Sequence, residues 1–130
     1  MRRISQGKHQ ALRRTGMQTL RAAVALPFLI AGAVKLVGLS GMVSLFHEIG
    51  LGQWFRYMTG GLEVVGGVLV FTRRWVLGAL ILCCVAAGAI VTHVTKIGGS
   101  PVPATILLAM SVALAAIGIR RYVREAEGHC

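Results

Sequence analysis

The sequence predicts an all-α fold: an integral membrane four-helix bundle with up-down topology and a short amphipathic helix between helices 1 and 2. Three observations support this prediction. Of the 130 residues, 55% are hydrophobic and only 14% are charged, whereas soluble domains carry about 25% charged residues. Long apolar segments follow one another along the chain. Basic residues cluster at the ends of these segments, as is typical of membrane proteins.

A soluble, all-helical domain is the alternative to a membrane protein. The mean hydropathy is +0.73, and a soluble chain of this length could not bury so much apolar surface, because small folds leave a large share of their area in water. The net charge of +10 could indicate nucleic-acid binding. The basic residues, however, flank apolar segments instead of covering one polar face. We therefore expect membrane lipids as partners and no nucleic acid.

Helix 1 is predicted over about 19–38, after a basic cytoplasmic extension over 1–18. A cleavable signal peptide is the alternative, because residues 31–33 loosely fit a cleavage site. The basic region is long for a signal peptide, and further membrane segments follow it. Pro27 could bend helix 1, since its ring removes one backbone hydrogen bond.

The segment 41–52 predicts the short amphipathic helix. Its apolar residues recur at the spacing of one helix face, which is typical of a helix lying at the membrane surface. Those residues are Met42, Leu45, Phe46 and Ile49. Gly50 and Gly52 are expected to end the helix.

Three further helices complete a single membrane domain over residues 1–130. Helix 2 is predicted over about 54–72, helix 3 over about 75–96 and helix 4 over about 102–119, before a cytoplasmic tail over 120–130. Aromatic residues at the start of helix 2 are typical of a membrane interface. A glycine- and proline-containing turn is expected to separate helices 3 and 4.

The distribution of basic residues predicts the orientation. Residues 1–21, the turn at 73–74 and the segment after helix 4 hold 11 of the 14 Lys and Arg residues. Four helices of alternating direction bring these three clusters to the same side of the membrane, which the positive-inside rule assigns to the cytoplasm. We therefore expect a multi-pass protein of the bacterial inner membrane with both termini in the cytoplasm.

The three cysteines, Cys83, Cys84 and Cys130, do not form a metal-binding motif. Neighbouring residues on a helix point about 100° apart, so a disulfide between Cys83 and Cys84 is not expected. The spacing matches no zinc signature. We expect no metal site, apolar packing for Cys83 and Cys84, and a free thiol at Cys130.

Lys35, Glu63 and His93 form the candidate site, since each lies within or near the end of an apolar helix. A charge in hydrocarbon costs about 2.5–3.5 kcal/mol, so these groups should pair or face a polar cavity. Alternating helices place all three in the outer half of the bilayer, on faces that also carry small residues. The sequence predicts a Lys35–Glu63 ion pair with His93 beside it.

Thr92 belongs to the same candidate ligand or proton site, and Arg56 and Lys96 are secondary candidates at its outer mouth. The alternative is a structural lock that holds three helices in register, with Lys35 snorkelling to the surface and His93 meeting water. The residues alone leave both interpretations open. They identify no catalytic residue, and haem is disfavoured because His93 is the one histidine clearly within a predicted span.

Several motifs together resemble the DoxX family of small four-helix bacterial membrane proteins, especially its DoxX-like branch. The similarity covers about residues 20–120, and its order and spacing are more specific than any single motif. The matching segments are 31–36, 46–54, 59–67, 87–93 and 101–103.

This resemblance implies a redox-associated, quinone-linked membrane subunit, because relatives include subunits linked to thiosulfate oxidation with quinone reduction. By analogy, Lys35, Glu63 and His93 would bind a quinone headgroup or relay protons. Other membrane or redox subunits would be its partners, and it would be an oxidoreductase subunit rather than an enzyme by itself. A non-enzymatic structural or assembly subunit and a small lipid- or ligand-binding carrier are the alternatives. The sequence does not indicate the oligomeric state.

Overall fold

A computed structural model of the chain describes the backbone of residues 2–128 and the side chains of residues 11–128; Cys130 lies outside the described residues. The predicted all-α fold is confirmed, since the described residues form helices and no strands. The helices are α1 (Arg2–Val37), α2 (Ser40–Ile49), α3 (Gln53–Val70), α4 (Trp75–Thr92), which continues into a π-helical turn (His93–Ile97), and α5 (Val102–Glu127).

Helix α1 is longer than the apolar segment that predicted it. It begins at Arg2 and continues through the basic segment and past Pro27 to Val37, for 36 residues. At 1.5 Å per residue such a helix is about 54 Å long, whereas a bilayer core is only about 30 Å thick. Helix α5 likewise continues through the basic residues that were expected to end it.

Within the part of the chain that the structure describes, three helices are long and apolar enough to cross a membrane: Ala11–Val37, Trp75–Ile97 and Val102–Glu127. Together with the composition, they make the chain a multi-pass membrane protein. Helix α3, which covers most of the predicted helix 2, is not among them. Its polar residues Gln53, Arg56 and Glu63 lower its mean hydropathy.

Helices α1, α3, α4 and α5 pack in that order, because the main contacts join α1 to α3, α3 to α4 and α4 to α5. Helix α2 lies against α3 and against the π-helical turn. The buried core is formed by residues of all four of the helices α1, α3, α4 and α5. Its members are Val24, Ala25, Phe28, Val70, Ala79, Leu82, Ala86, Leu114 and Ala115.

Two positive-φ glycines shape the chain around α2. Gly38 has φ +75° between α1 and α2, and Gly50 has φ +76° at the end of α2, where its N–H donates to the carbonyl of His47 at 3.1 Å. Such left-handed conformations strain other residues.

In the third apolar segment, Cys83 and Cys84 are both free thiols. The prediction that both pack within the bundle is wrong for Cys84, which is exposed on its outside.

Candidate functional site

Lys35 of α1 and Glu63 of α3 form an ion pair across the contact between their helices. The Nζ atom of Lys35 donates to Oε1 of Glu63. The side chain of Glu63 is only 5% exposed and that of Lys35 is 16% exposed. Charges this poorly hydrated are costly unless they are compensated, and each compensates the other.

Glycines three residues earlier on each helix allow this pair to form. Gly32 precedes Lys35 and Gly60 precedes Glu63, so each glycine shares a helix face with its charged residue. A Cβ added to Gly32 would lie 2.8 Å from the Gly60 carbonyl oxygen, and one added to Gly60 would lie 3.0 Å from Lys35 Cβ. The two backbones therefore approach closely where the charges meet.

Arg56 is a second buried cation at the same end of the bundle. It is 4% exposed, and its Nη1 donates to the backbone carbonyl of Lys35. Its Nε donates to Oε1 of Gln53 at 2.8 Å, and its guanidinium lies 4.3 Å from the centroid of the Tyr57 ring. A positive side chain on a carbonyl in the last turn of a helix stabilises that end, so Arg56 holds the end of α1 against α3.

One carboxylate oxygen of this cluster lacks a partner. Glu63 Oε2 is buried and has no hydrogen bond among the described residues, although Oε1 is paired with Lys35. Buried polar atoms are nearly always hydrogen-bonded, and an unpaired one carries a free-energy penalty of about 1–3 kcal/mol. The position next to Oε2 is therefore suited to a donor from a water molecule or a ligand.

His93, Thr92 and Lys96 lie on α4 and its π-helical turn, and the hydrogen bonds of His93 and Thr92 stay within that helix. His93 Nδ1 is 2.9 Å from the carbonyl oxygen of Ala89, and Thr92 Oγ1 donates to Gly88 at 2.8 Å. Because a carbonyl only accepts, Nδ1 carries the proton and Nε2 is the acceptor of a neutral ring. Within residues 11–128, neither side chain is hydrogen-bonded to Lys35 or Glu63; Lys96 is exposed.

Several features of this site were not anticipated from the sequence. They are the bond from Arg56 to α1, the participation of Gln53 and Tyr57, and the π-helical turn at His93. One sequence signal for the close contact of α1 and α3 was available. On each of these helices, a glycine lies three positions before a charged residue. Among the described residues, no three His, Cys, Asp or Glu side chains lie close enough together to hold a metal ion.

The sequence matches the DoxX-like family over residues 19–118, a range that includes every candidate site residue. A protein of Bacillus subtilis (strain 168) named "Putative oxidoreductase CatD" is 36% identical over 56 residues. That match covers 43% of this chain and 42% of the Bacillus protein, so the chain spans less than half the length of this relative. No solved structure matches the chain.

Proposed function

Because the chain belongs to the DoxX-like family, we propose that it is a four-span inner-membrane subunit of a redox system that binds a quinone headgroup at Lys35 and Glu63. The observation that carries the proposal is the buried Oε2 of Glu63, which has no hydrogen-bond partner among residues 11–128 and lies beside the Lys35 ammonium. The name of the Bacillus relative is that of an oxidoreductase, which supports a redox setting. Other redox subunits would be its partners.

The proposed fourth span is α3. Its 18 residues make a helix about 27 Å long, close to the thickness of a bilayer core. Arg56 and Glu63 are each 4% exposed, whereas Val65 and Val68 are each 52% exposed. The polar residues that lower the mean hydropathy of α3 thus face the other helices, and an apolar surface remains for lipid.

We propose that both termini lie in the cytoplasm, and this orientation can be tested with two single-cysteine variants. In a background with the native cysteines replaced by serine, Ser100→Cys in the α4–α5 connection is expected to react with a membrane-impermeant maleimide in intact cells. Ala126→Cys near the end of α5 is expected to react only after permeabilisation, because the basic ends remain inside. Labelling of Ala126→Cys in intact cells would contradict the orientation.

The donors and acceptors at the site fit both redox forms of a quinone. When bound, a quinone would supply a two-electron, two-proton carrier. Lys35 has three N–H donors, and only one is used on Glu63, so it can donate to a quinone carbonyl. Glu63 Oε2 can accept from a quinol hydroxyl, and the same carboxylate is placed to hold or release that proton.

This binding is tested by Glu63→Gln, with Glu48→Gln as the matched control because Glu48 is exposed on α2. Hydrogen bonds to charged groups contribute about 1.5–3 kcal/mol, so Glu63→Gln is expected to weaken binding of a short-chain benzoquinone by about 10- to 100-fold. Glu48→Gln should bind like the wild type. Titration of purified protein, with analysis of quinone copurified from native membranes, measures both effects. Equal affinity in the two variants would refute the quinone site.

A structural role is the second candidate function, and the glycine contact beside the ion pair favours it. Gly32 and Gly60 bring α1 and α3 together at Lys35 and Glu63, and Arg56 fastens the end of α1. In a non-enzymatic assembly subunit, the same residues would only hold the helices in register. Such a protein would copurify with partner subunits but not with quinone.

A further inference from the structure

A second polar site lies at the other end of α1, away from Lys35 and Glu63. It is a cavity of about 460 Å³ between the first half of α1 and the end of α5. Among the described residues that line it, four are arginines and none is acidic. The lining residues are Arg13, Arg14, Met17, Gln18, Arg21 and Arg121.

Arg21 is held in this cavity by its contact with Trp75, the first residue of α4. Its guanidinium carbon lies 4.4 Å from the centroid of the Trp75 ring, a stacking that suits arginine. The ring in turn lies against α5, because a Cβ added to Gly118 would be 3.0 Å from it. Helix α4 therefore supports the cavity between α1 and α5, because its Trp75 holds one of the lining arginines in place.

No acidic side chain balances the arginines among the described residues that line the cavity. Arg21 and Arg121 are close enough for their charges to repel each other, and Arg13 and Arg14 add two more. The Nε atom of Arg21 is buried and has no hydrogen-bond partner among the described residues. Like charges in one cavity destabilise each other unless an anion joins them. A phosphate matches this arrangement because arginine donates to its oxygens in a bidentate manner.

We propose that this cavity binds the phosphate of an anionic phospholipid headgroup at the cytoplasmic face of the membrane. Both helices that form it are long and apolar enough to cross a membrane, so the cavity lies where headgroups are found. Leu12 is 68% exposed and Tyr122 is 75% exposed; they adjoin Arg13 and Arg121 in sequence and offer contacts for the lipid. Basic pockets between membrane helices on the cytoplasmic side suit such headgroups. This site is independent of the proposed quinone site.

The proposal is tested by comparing two double variants that remove the same charge at the same end of the molecule. Arg13→Gln/Arg14→Gln alters the cavity, whereas Arg73→Gln/Arg74→Gln alters the exposed α3–α4 turn. Both double variants and the protein with the unaltered cavity are made in a Trp54→Phe background, so that Trp75 beside Arg21 is the one tryptophan that fluoresces. Purified protein in neutral detergent is titrated with short-chain phosphatidylglycerol, phosphatidylcholine or inorganic phosphate.

Phosphatidylglycerol is expected to bind the unaltered cavity at least tenfold more tightly than phosphatidylcholine, and each basic residue contributes a factor of about five. The cavity variant should therefore lose about 30-fold in affinity, and the turn variant less than about threefold. Equal losses in the two variants, or no preference for phosphatidylglycerol, would overturn the proposal. Inorganic phosphate binding as tightly as phosphatidylglycerol would overturn the assignment to a lipid. Arg121→Gln serves as a second cavity variant if the first does not fold.

Discussion

Gly78→Ala is expected to destabilise the protein strongly, because Gly78 is where α4 lies directly on the backbone of α3. A Cβ at this position would lie 2.7 Å from the Gly66 carbonyl oxygen and 2.7 Å from the Val70 nitrogen. Backbone atoms cannot rotate away as side chains can, so α4 would have to move off α3. Overpacking typically costs about 1–3 kcal/mol and occasionally more, and we expect Gly78→Ala at the upper end of that range.

Gly88→Ala is the matched control for this prediction. Gly88 lies on the same helix, and a Cβ there would have no atom within 4 Å. Alanine favours a helix over glycine by about 1 kcal/mol, so this variant should be unchanged or slightly more stable. Thermal unfolding in detergent, followed by circular dichroism, compares the two. A Gly78→Ala protein as stable as Gly88→Ala would show that α3 and α4 do not approach as described.

Lys35→Met is expected to have the second large effect, because it leaves Glu63 buried without its counter-charge. Removing one partner of a buried ion pair costs about 3–5 kcal/mol in soluble proteins. Glu63→Gln should cost less, since the Lys35 side chain is the more exposed of the pair and its long stem can carry the ammonium toward water. Lys96→Met, at an exposed lysine, should leave the stability within about 0.5 kcal/mol of wild type.

The double variant Lys35→Met/Glu63→Gln measures how strongly the two charges stabilise each other. Because neither charge remains to be compensated, its loss of stability should be smaller than the sum of the two single losses, with a coupling of about 0.5–3 kcal/mol. Unfolding in detergent of the wild type, both single variants and the double variant gives the coupling directly. Additive losses would mean that the two charges do not interact in the folded protein.

The sequence predicted the ion pair better than it predicted the surroundings of the pair. Lys35 and Glu63 could be matched in advance because a charge in an apolar helix needs a partner and because helices of alternating direction limit which depths can meet. The hydrogen bond from Arg56 to the carbonyl of Lys35 could not be predicted in this way, since it depends on how Gly38 turns the chain after α1. Backbone acceptors leave no pattern in a sequence.

The structure also differs from the sequence-based prediction at the start of α1 and at the end of α4. The apolar periodicity of the first segment begins near residue 19, but a helix continues into polar residues if nothing breaks it, and α1 begins at Arg2. The π-helical turn at His93 shifts side-chain directions relative to a regular helix. The residues that follow His93, including Lys96, therefore do not keep the 3.6-residue spacing of α4.

We propose that the Lys35–Glu63 pair binds a ligand in addition to joining α1 and α3. This proposal is tested most directly by measuring short-chain benzoquinone binding to the Lys35→Met/Glu63→Gln variant, after its unfolding midpoint has shown that it is folded. We expect a folded protein whose affinity for the quinone has fallen by at least about tenfold, because both hydrogen-bonding charges are gone. A folded double variant that binds the quinone as tightly as the wild type would contradict the proposal.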